Sequence, residues 1–499
     1  MFGFAVTERE RFSLTLVPVL SQFLARSLVF FTSAAVLVIE ILAARLLAPY
    51  LGVSLEVFTG IIGVILAGIS VGAWLGGLAA DRGNPRRLPG PLLVAGGLTA
   101  MASPLIIDAI GPVLSTDAGS IVIAALAGFF VPAALLSAVP PVIVKIQLSS
   151  LDTTGRVVGS YSAIGTAGAI LGTFATGFVL IAAFPTRPIV LVVGALLTVA
   201  GVISWSTKAI WTVGSLVAMA LLTVALVGLD GPCEFETTYS CAIVEEDQAR
   251  STGRTLVLDR VRNSYVDLAD PNYLEFRYIK LMVDVIETAA AVGELDVVSI
   301  GGGGFTLPGY IEHTRPGSSN TVLEIDAKLV EIGREELALS DEVDVIVDDA
   351  RVSLRDIPTD FADVVIGDAY SGTSVPWHLT TVEYTEEIDR VLSPTGIYTM
   401  NVIDYDDLDF IRSESETLRQ VFAEVALFAP SEYLTGVVGG NYVLVASQQP
   451  IDVATIESTI RLRGGAEVGI TGDQLTSFIA GADVLTDDFA PVDQMLFRS

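Results

Sequence analysis

The stretch DVVSIGGGG at 296–304, followed by TVLEI at 321–325, decides how the chain is read. An apolar run rich in Val and Ile stops at four glycines, and a second run stops near a Glu. Short apolar runs bounded in this way read as buried strands of a parallel sheet. The pattern continues outward through VDVIV (343–347), ADVVI (362–366), GIYTM (396–400) and NYVLVAS (441–447), with helical stretches such as AKLVEIGREEL (327–337) between the runs. Strands alternating with helices predict a doubly wound, Rossmann-like α/β sheet. Residues 231–270 behave differently. There CAIVEED, TLVLDRV and SYVDL alternate apolar and polar positions with turn residues between them, which predicts a small antiparallel β-unit.

In an open α/β sheet, chemistry gathers at the carboxyl ends of the strands. Gly301, Gly302, Gly303 and Gly304 follow the first strand, and Glu324 stands 20 residues beyond Gly304 at the end of the second. A carboxylate at that spacing suits ribose hydroxyls. A GxGxxG pattern is absent and no phosphate-binding Lys follows the glycines, which disfavours NAD and ATP. A nucleoside such as S-adenosylmethionine fits better. Asp349 and Ala350 end the third strand, where a carboxylate can accept from an adenine amino group. Asp368 ends the fourth, over the expected reaction centre. A single Asp in such a place is commonly a helix cap or turn residue. Four acidic or Gly features at four successive strand ends point together to a site.

Upstream the chain changes character. It is 52% hydrophobic and 17% charged, with a mean hydropathy of +0.62. Residues 1–230 carry 11 basic and 9 acidic side chains, so the totals of 28 and 57 leave 17 and 48 for residues 231–499, a net charge of −31. That acidity excludes a general nucleic-acid binder. With only four Lys in the chain, it also reads as a surface kept soluble in high salt. Two His and two Cys are too few for a structural zinc site, and no metal is expected.

Seven spanning helices are predicted near 27–47, 56–80, 89–111, 119–145, 158–183, 188–205 and 209–229. The stretch 12–24 is too short to cross and contains Pro18, so it is placed at the interface. Arg9 and Arg11 precede the first helix, Arg82, Arg86 and Arg87 follow the second, Lys145 and Arg156 flank the loop after the fourth, and Lys208 follows the sixth. The N-terminus is therefore expected in the cytoplasm, and an odd helix count puts the soluble half outside. Gly68, Gly72 and Gly76, like Gly168 and Gly172, recur at a spacing that lets helices approach closely. Glu40, inside the first helix, is a candidate for function or for a packing bond. Arg45 lies about 140° further around that helix and cannot pair with it. Cys233 and Cys241, close together just past the last span, predict a disulfide. The expected organisation is a helical membrane bundle over 1–230, a small β-unit with a connecting helix over 231–295, and a nucleoside-binding catalytic domain over 296–499.

Several motifs carry a family resemblance. RTLVLDRVRNSYV (254–266), YLEFRYIKLM (273–282), SIGGGG (299–304), VLEID (322–326), VDDA (347–350), IGDAYSGTSVPWHLTTVEY (366–384) and LTDDFAPVD (485–493) resemble, in order, the spermidine synthase (polyamine aminopropyltransferase) family. The whole chain resembles its membrane-fused branch. GGLAADRGNPRR (76–87) and GRVVGSYSAIGTAGAILG (155–172) are similar to loop signatures of major-facilitator transporters. The resemblance implies that Asn263, Gly301, Gly302, Gly303, Glu324, Asp349 and Ala350 hold the nucleoside and that Asp368 accepts a proton. It implies decarboxylated S-adenosylmethionine or S-adenosylmethionine as co-substrate, an amine as second substrate, and no tightly bound cofactor. Small molecules and membrane lipid, not nucleic acid, are the expected partners, and a homo-oligomer is left open.

The departures concern the amine. Gly304 stands where the family has an Asp, Ser371 stands where it has a second one, and its Tyr-His-Glu run is Tyr278-Ile279-Lys280. Tyr278, Ser371, Asp487 and Asp488 are the remaining candidates for that end of the site. Transfer of an aminopropyl group to an amine is the leading expectation. An S-adenosylmethionine-dependent methyltransferase, or a transporter or sensor with a nucleoside-binding domain, are the alternatives.

Overall fold

A computed structural model describes residues 21–115, 117–148, 150–205, 231–405 and 407–496. Six helices in it are long and apolar enough to cross a membrane: Gln22–Leu51, Leu55–Arg82, Pro85–Val113, Ala118–Gln147, Leu151–Ala183 and Thr186–Ser204. The seventh expected span and most of the interfacial stretch at 12–24 lie outside the described residues. The glycine spacing is explained by contact. A Cβ on Gly72 or Gly76 would stand 2.0 and 2.4 Å from the carbonyl oxygens of Ala134 and Ala138 on the fourth helix. A Cβ on Gly168 or Gly172 would stand 2.2 and 2.6 Å from those of Phe30 and Ala34 on the first. Glycine here allows the close backbone approach between these apolar helices.

Four antiparallel strands follow, in the order β1 (Phe235–Glu236), β2 (Cys241–Glu246), β3 (Gly253–Leu258) and β4 (Val261–Asp267). The predicted disulfide joins Cys233 to Cys241, with Cα atoms 5.1 Å apart. The inner face of this sheet, with Ala242 and Leu256, packs on Leu329 and Ile332 of the helix Ala327–Glu336.

The second sheet has eight strands in the order β12-β10-β11-β9-β8-β5-β6-β7. The members are β5 (Asp296–Ile300), β6 (Ser319–Glu324), β7 (Asp344–Val347), β8 (Ala362–Gly367), β9 (Leu392–Asp404), β10 (Glu424–Ala429), β11 (Gly440–Ser447) and β12 (Val468–Thr471). Strands β5 to β9 pair in parallel, and β10 to β12 add antiparallel edges. Apolar residues of both sheet faces are buried, one under Tyr384, Phe410 and Leu418, the other under Met282, Val285 and Ile460. This is the Rossmann-like sheet expected from 296 onward. Strands β10 and β12 are additional to those read from the sequence.

The two halves touch through named contacts. The Arg45 guanidinium donates to the carbonyls of Thr237 and Thr238, which follow β1, and pairs with Glu236 at 3.4 Å. The Glu236 carboxylate accepts from the backbone N–H of Thr186 at 2.8 and 2.9 Å. A soluble-half side chain thus caps the sixth apolar helix, where a carboxylate also complements the helix dipole. These contacts lie at the ends of the bundle marked by residues 45 and 186. The Arg-rich loop at 82–87 and the Lys145–Asp81 pair, at 2.7 Å, mark the opposite ends.

Candidate active site

Strand β5 has β6 on one side and β8 on the other, so the chain changes direction between β5 and β8. Ligands of open α/β sheets bind where such neighbours part. The Asp368 N–H donates to the Ile300 carbonyl at 2.9 Å, holding the ends of the two strands together. Gly301 makes this possible. Its φ is +89°, and a Cβ there would lie 2.7 Å from the Asp368 carbonyl oxygen. The Gly304 N–H donates to Ser264 Oγ at 2.8 Å, and that hydroxyl donates to Asn263 Oδ1 at 2.7 Å. Strand β4 of the small sheet therefore holds the far side of the glycine loop.

Glu324 ends β6 with 6% of its surface exposed. One oxygen accepts from the Gly302 N–H at 2.8 Å and the other from the Asp326 N–H at 2.9 Å. Burial raises its carboxyl above the ordinary range, and the two N–H donors partly oppose that. Asp349 caps the short helix Ala350–Ser353 by accepting from the N–H groups of Arg351 and Val352. Its second oxygen lies 3.1 Å from His378 Nε2. Both carboxylates thus have structural partners of their own at the strand ends.

Asp368 projects from the end of β8 into a cavity of about 300 Å³. Tyr278 donates its hydroxyl to Asp368 Oδ2 at 3.1 Å, and Asn401 Nδ2 donates to Oδ1 at 2.9 Å. Asn441 donates to Asn401 Oδ1 at 3.0 Å, and the Tyr370 hydroxyl donates to the Asn401 carbonyl at 2.8 Å. Desolvation raises the Asp368 carboxyl to about 7, against the opposing pull of Asn401 and Tyr278. A carboxylate poised there can take a proton at neutral pH. Burial also pushes the Tyr278 hydroxyl well up, so it stays a donor.

The cavity brings together Asn263, Gly301, Gly302, Gly303, Tyr278 and Asp368 from the sequence-predicted set. Glu324, Asp349 and Ala350 lie at neighbouring strand ends outside its lining. Ser371 is exposed and pairs by backbone with Ser374. Asp487 binds Arg351 at 2.6 Å and accepts from Thr381 at 2.8 Å. Asp488 is exposed in the adjoining turn. Neither Asp lines the cavity with Asp368. Asn401, Asn441 and Ser264 were not predicted. Asn401, only 2% exposed in the apolar strand β9, carried a readable signal, since a polar residue inside such a run needs a buried partner.

No family model matches the chain. A polyamine aminopropyltransferase of Vibrio vulnificus is 29% identical over 155 residues, which is 30% of this chain and 49% of that protein. One from Chromobacterium violaceum is 25% identical over 140 residues, 28% of this chain and 53% of that protein. The chain thus spans about half the length of the curated relatives it matches. Among solved structures, that of a probable spermidine synthase from Corynebacterium glutamicum has a TM-score of 0.49 and 29% identity, covering 53% of this chain and 99% of that one. A spermidine synthase in complex with the transition-state analogue AdoDATO has a TM-score of 0.33 and 17% identity, covering 45% and 78%.

Proposed function

We propose, for a chain whose soluble half belongs to the spermidine synthase (polyamine aminopropyltransferase) family, that this half transfers an aminopropyl group from decarboxylated S-adenosylmethionine to an amine while anchored by the apolar helices. The observation that carries the reading is the placement of Asp368. It is a carboxylate at the switch point, held by Tyr278 and Asn401, facing the cavity and raised to about 7.

The acceptor enters as an ammonium, which has no lone pair with which to attack. Asp368 takes its proton, directly or through water, and the freed nitrogen attacks the propyl carbon bonded to the sulfonium. The new C–N bond forms as the C–S bond breaks. Its electron pair returns to sulfur, giving a neutral thioether that needs no acid. Alignment of nitrogen and carbon at about 3–3.5 Å supplies much of the acceleration. Asn263 and the glycine loop Gly301 to Gly303 line the place of the nucleoside, Glu324 fixes that loop through its N–H groups and meets the ribose, and Asp349 stands toward the adenine.

The contacts of Arg45 and Glu236 set the soluble half against the end of the bundle away from the Arg-rich loop at 82–87. By the rule that basic loops stay inside, this supports a multi-pass membrane protein with its catalytic half outside the cytoplasm. The disulfide agrees with that side. It follows that the donor nucleoside must reach the same face.

The test is direct. The purified full chain, given decarboxylated S-adenosylmethionine and a panel of amines, should release methylthioadenosine. Absence of that product with every amine, at donor concentrations where calorimetry shows binding, would overturn the reading.

A further inference from the structure

The charges around the Asp368 cavity do not match a diamine. Among the described residues lining it, Asp368 is the one acid, and the other two charged side chains are Arg262 and Arg277. The Arg277 guanidinium is engaged at 2.7 Å by Glu467, itself buried. Arg262 is exposed, makes no salt bridge among the described residues, has the Asp247 carboxylate near enough to feel its charge, and lies over the Phe276 ring, its Cζ 5.5 Å from the ring centre. Phe276 in turn stacks on Tyr278, centroids 6.1 Å apart and planes 27° from parallel, and Tyr278 reaches Asp368. The cavity lining thus carries a carboxylate and a guanidinium connected, contact by contact, through two stacked aromatic rings.

A dication in a partly desolvated cavity needs an anion for each ammonium. Among its described lining residues this cavity offers one anion, and the exposed Arg262 guanidinium disfavours a second ammonium beside it. We propose that the acceptor is a primary amine that also carries an anionic group, with the amine presented to Asp368 and the anion to Arg262. The inference rests on the transfer reading above and names the substrate class for the same cavity. A soluble amino acid or phosphoamine has this chemistry, and so does an amine-bearing phospholipid headgroup. The second source has access. Gly372 lines the cavity, and a Cβ on it would stand 3.2 Å from the carbonyl oxygen of Val53, in the loop joining the first two apolar helices.

The experiment uses the full chain in phosphatidylcholine nanodiscs with decarboxylated S-adenosylmethionine, reading methylthioadenosine release. The acceptors are putrescine, butylamine, 4-aminobutyrate and phosphoethanolamine, and in a separate arm phosphatidylethanolamine within the disc. A kcat/KM at least tenfold higher for 4-aminobutyrate, phosphoethanolamine or the lipid than for putrescine is expected, and the arm that responds identifies the source. Arg262→Ala should lower the ratio of anionic-amine to butylamine turnover tenfold or more, chiefly through KM, and Arg262→Lys should recover part of it. That ratio is internal to each variant and so independent of folding yield. Preferred turnover of putrescine, or a ratio unmoved by Arg262→Ala, overturns the inference while leaving aminopropyl transfer intact. Donor binding without product from any amine overturns both.

Discussion

Tyr278 and Asp368 are 90 positions apart in the chain, and the tyrosine hydroxyl donates to the carboxylate across 3.1 Å. The tyrosine comes from the helix Arg277–Ala289, which precedes the large sheet, and the Asp from the end of its fourth strand in sequence. The hydrogen bond therefore joins the β-unit side of the soluble half to the sheet at the proposed reaction centre.

The first prediction concerns pH. Asp368 must be ionised to accept a proton, so kcat/KM should rise with pH through about 7. Tyr278→Phe removes a donor that favours the carboxylate, so the rising limb should move up by about one unit, the size expected for one hydrogen bond to a charged group. A limb that stays in place would remove Tyr278 from the titration.

Stability should follow the same group with a fixed sign. The folded protein holds the Asp368 proton up to about 7, whereas the unfolded chain releases it near 3.8. Within that window the native state binds more protons, so this group lowers stability as pH rises. The gain in thermal midpoint of Asp368→Asn over wild type should therefore grow between pH 4 and 7 and level off above. A constant gap across that range would contradict the desolvated placement.

Glu324 and Gly301 test the nucleoside end. Glu324→Gln weakens the grip on the Gly302 N–H and should lower nucleoside affinity by roughly 1.5–3 kcal/mol, read by calorimetry. Gly301→Ala forces a side chain into positive φ and against the Asp368 carbonyl. It should abolish measurable nucleoside binding and destabilise the fold by about 1–3 kcal/mol. Unchanged binding in both variants would move the nucleoside elsewhere.

Topology is tested by Cys233 and Cys241. In intact cells, a membrane-impermeant thiol reagent should label them only after reduction. Free thiols that stay protected until the cells are opened would place the catalytic half in the cytoplasm.

The strands β5 to β8 were legible because each is a short Val- and Ile-rich run ending in a Gly or an acid, the pattern of a buried parallel strand. Strand β10, EVALFA, and strand β12 were not, since short apolar runs without a terminal signal do not separate from helix by periodicity. Asp368 and Tyr278 were legible from position and resemblance, but Asn401 and Asn441 were not placed beside them. Their role depends on the pairing of β9 with β11, a long-range register that local sequence does not encode. The pairing of Asp487, outside the Asp368 cavity, was hidden for a similar reason. Arg351, 136 residues away, takes it. Arg45 could be excluded from pairing with Glu40 by helix geometry, yet nothing local announced Glu236 as its partner.

The most direct test of the account is methylthioadenosine release by Asp368→Asn beside the wild type, with donor affinity measured on the same samples. A general base contributes about 10²–10⁴-fold. The account predicts a loss within that range with donor affinity unchanged within a few-fold. A variant that retains more than a tenth of the wild-type rate would contradict it.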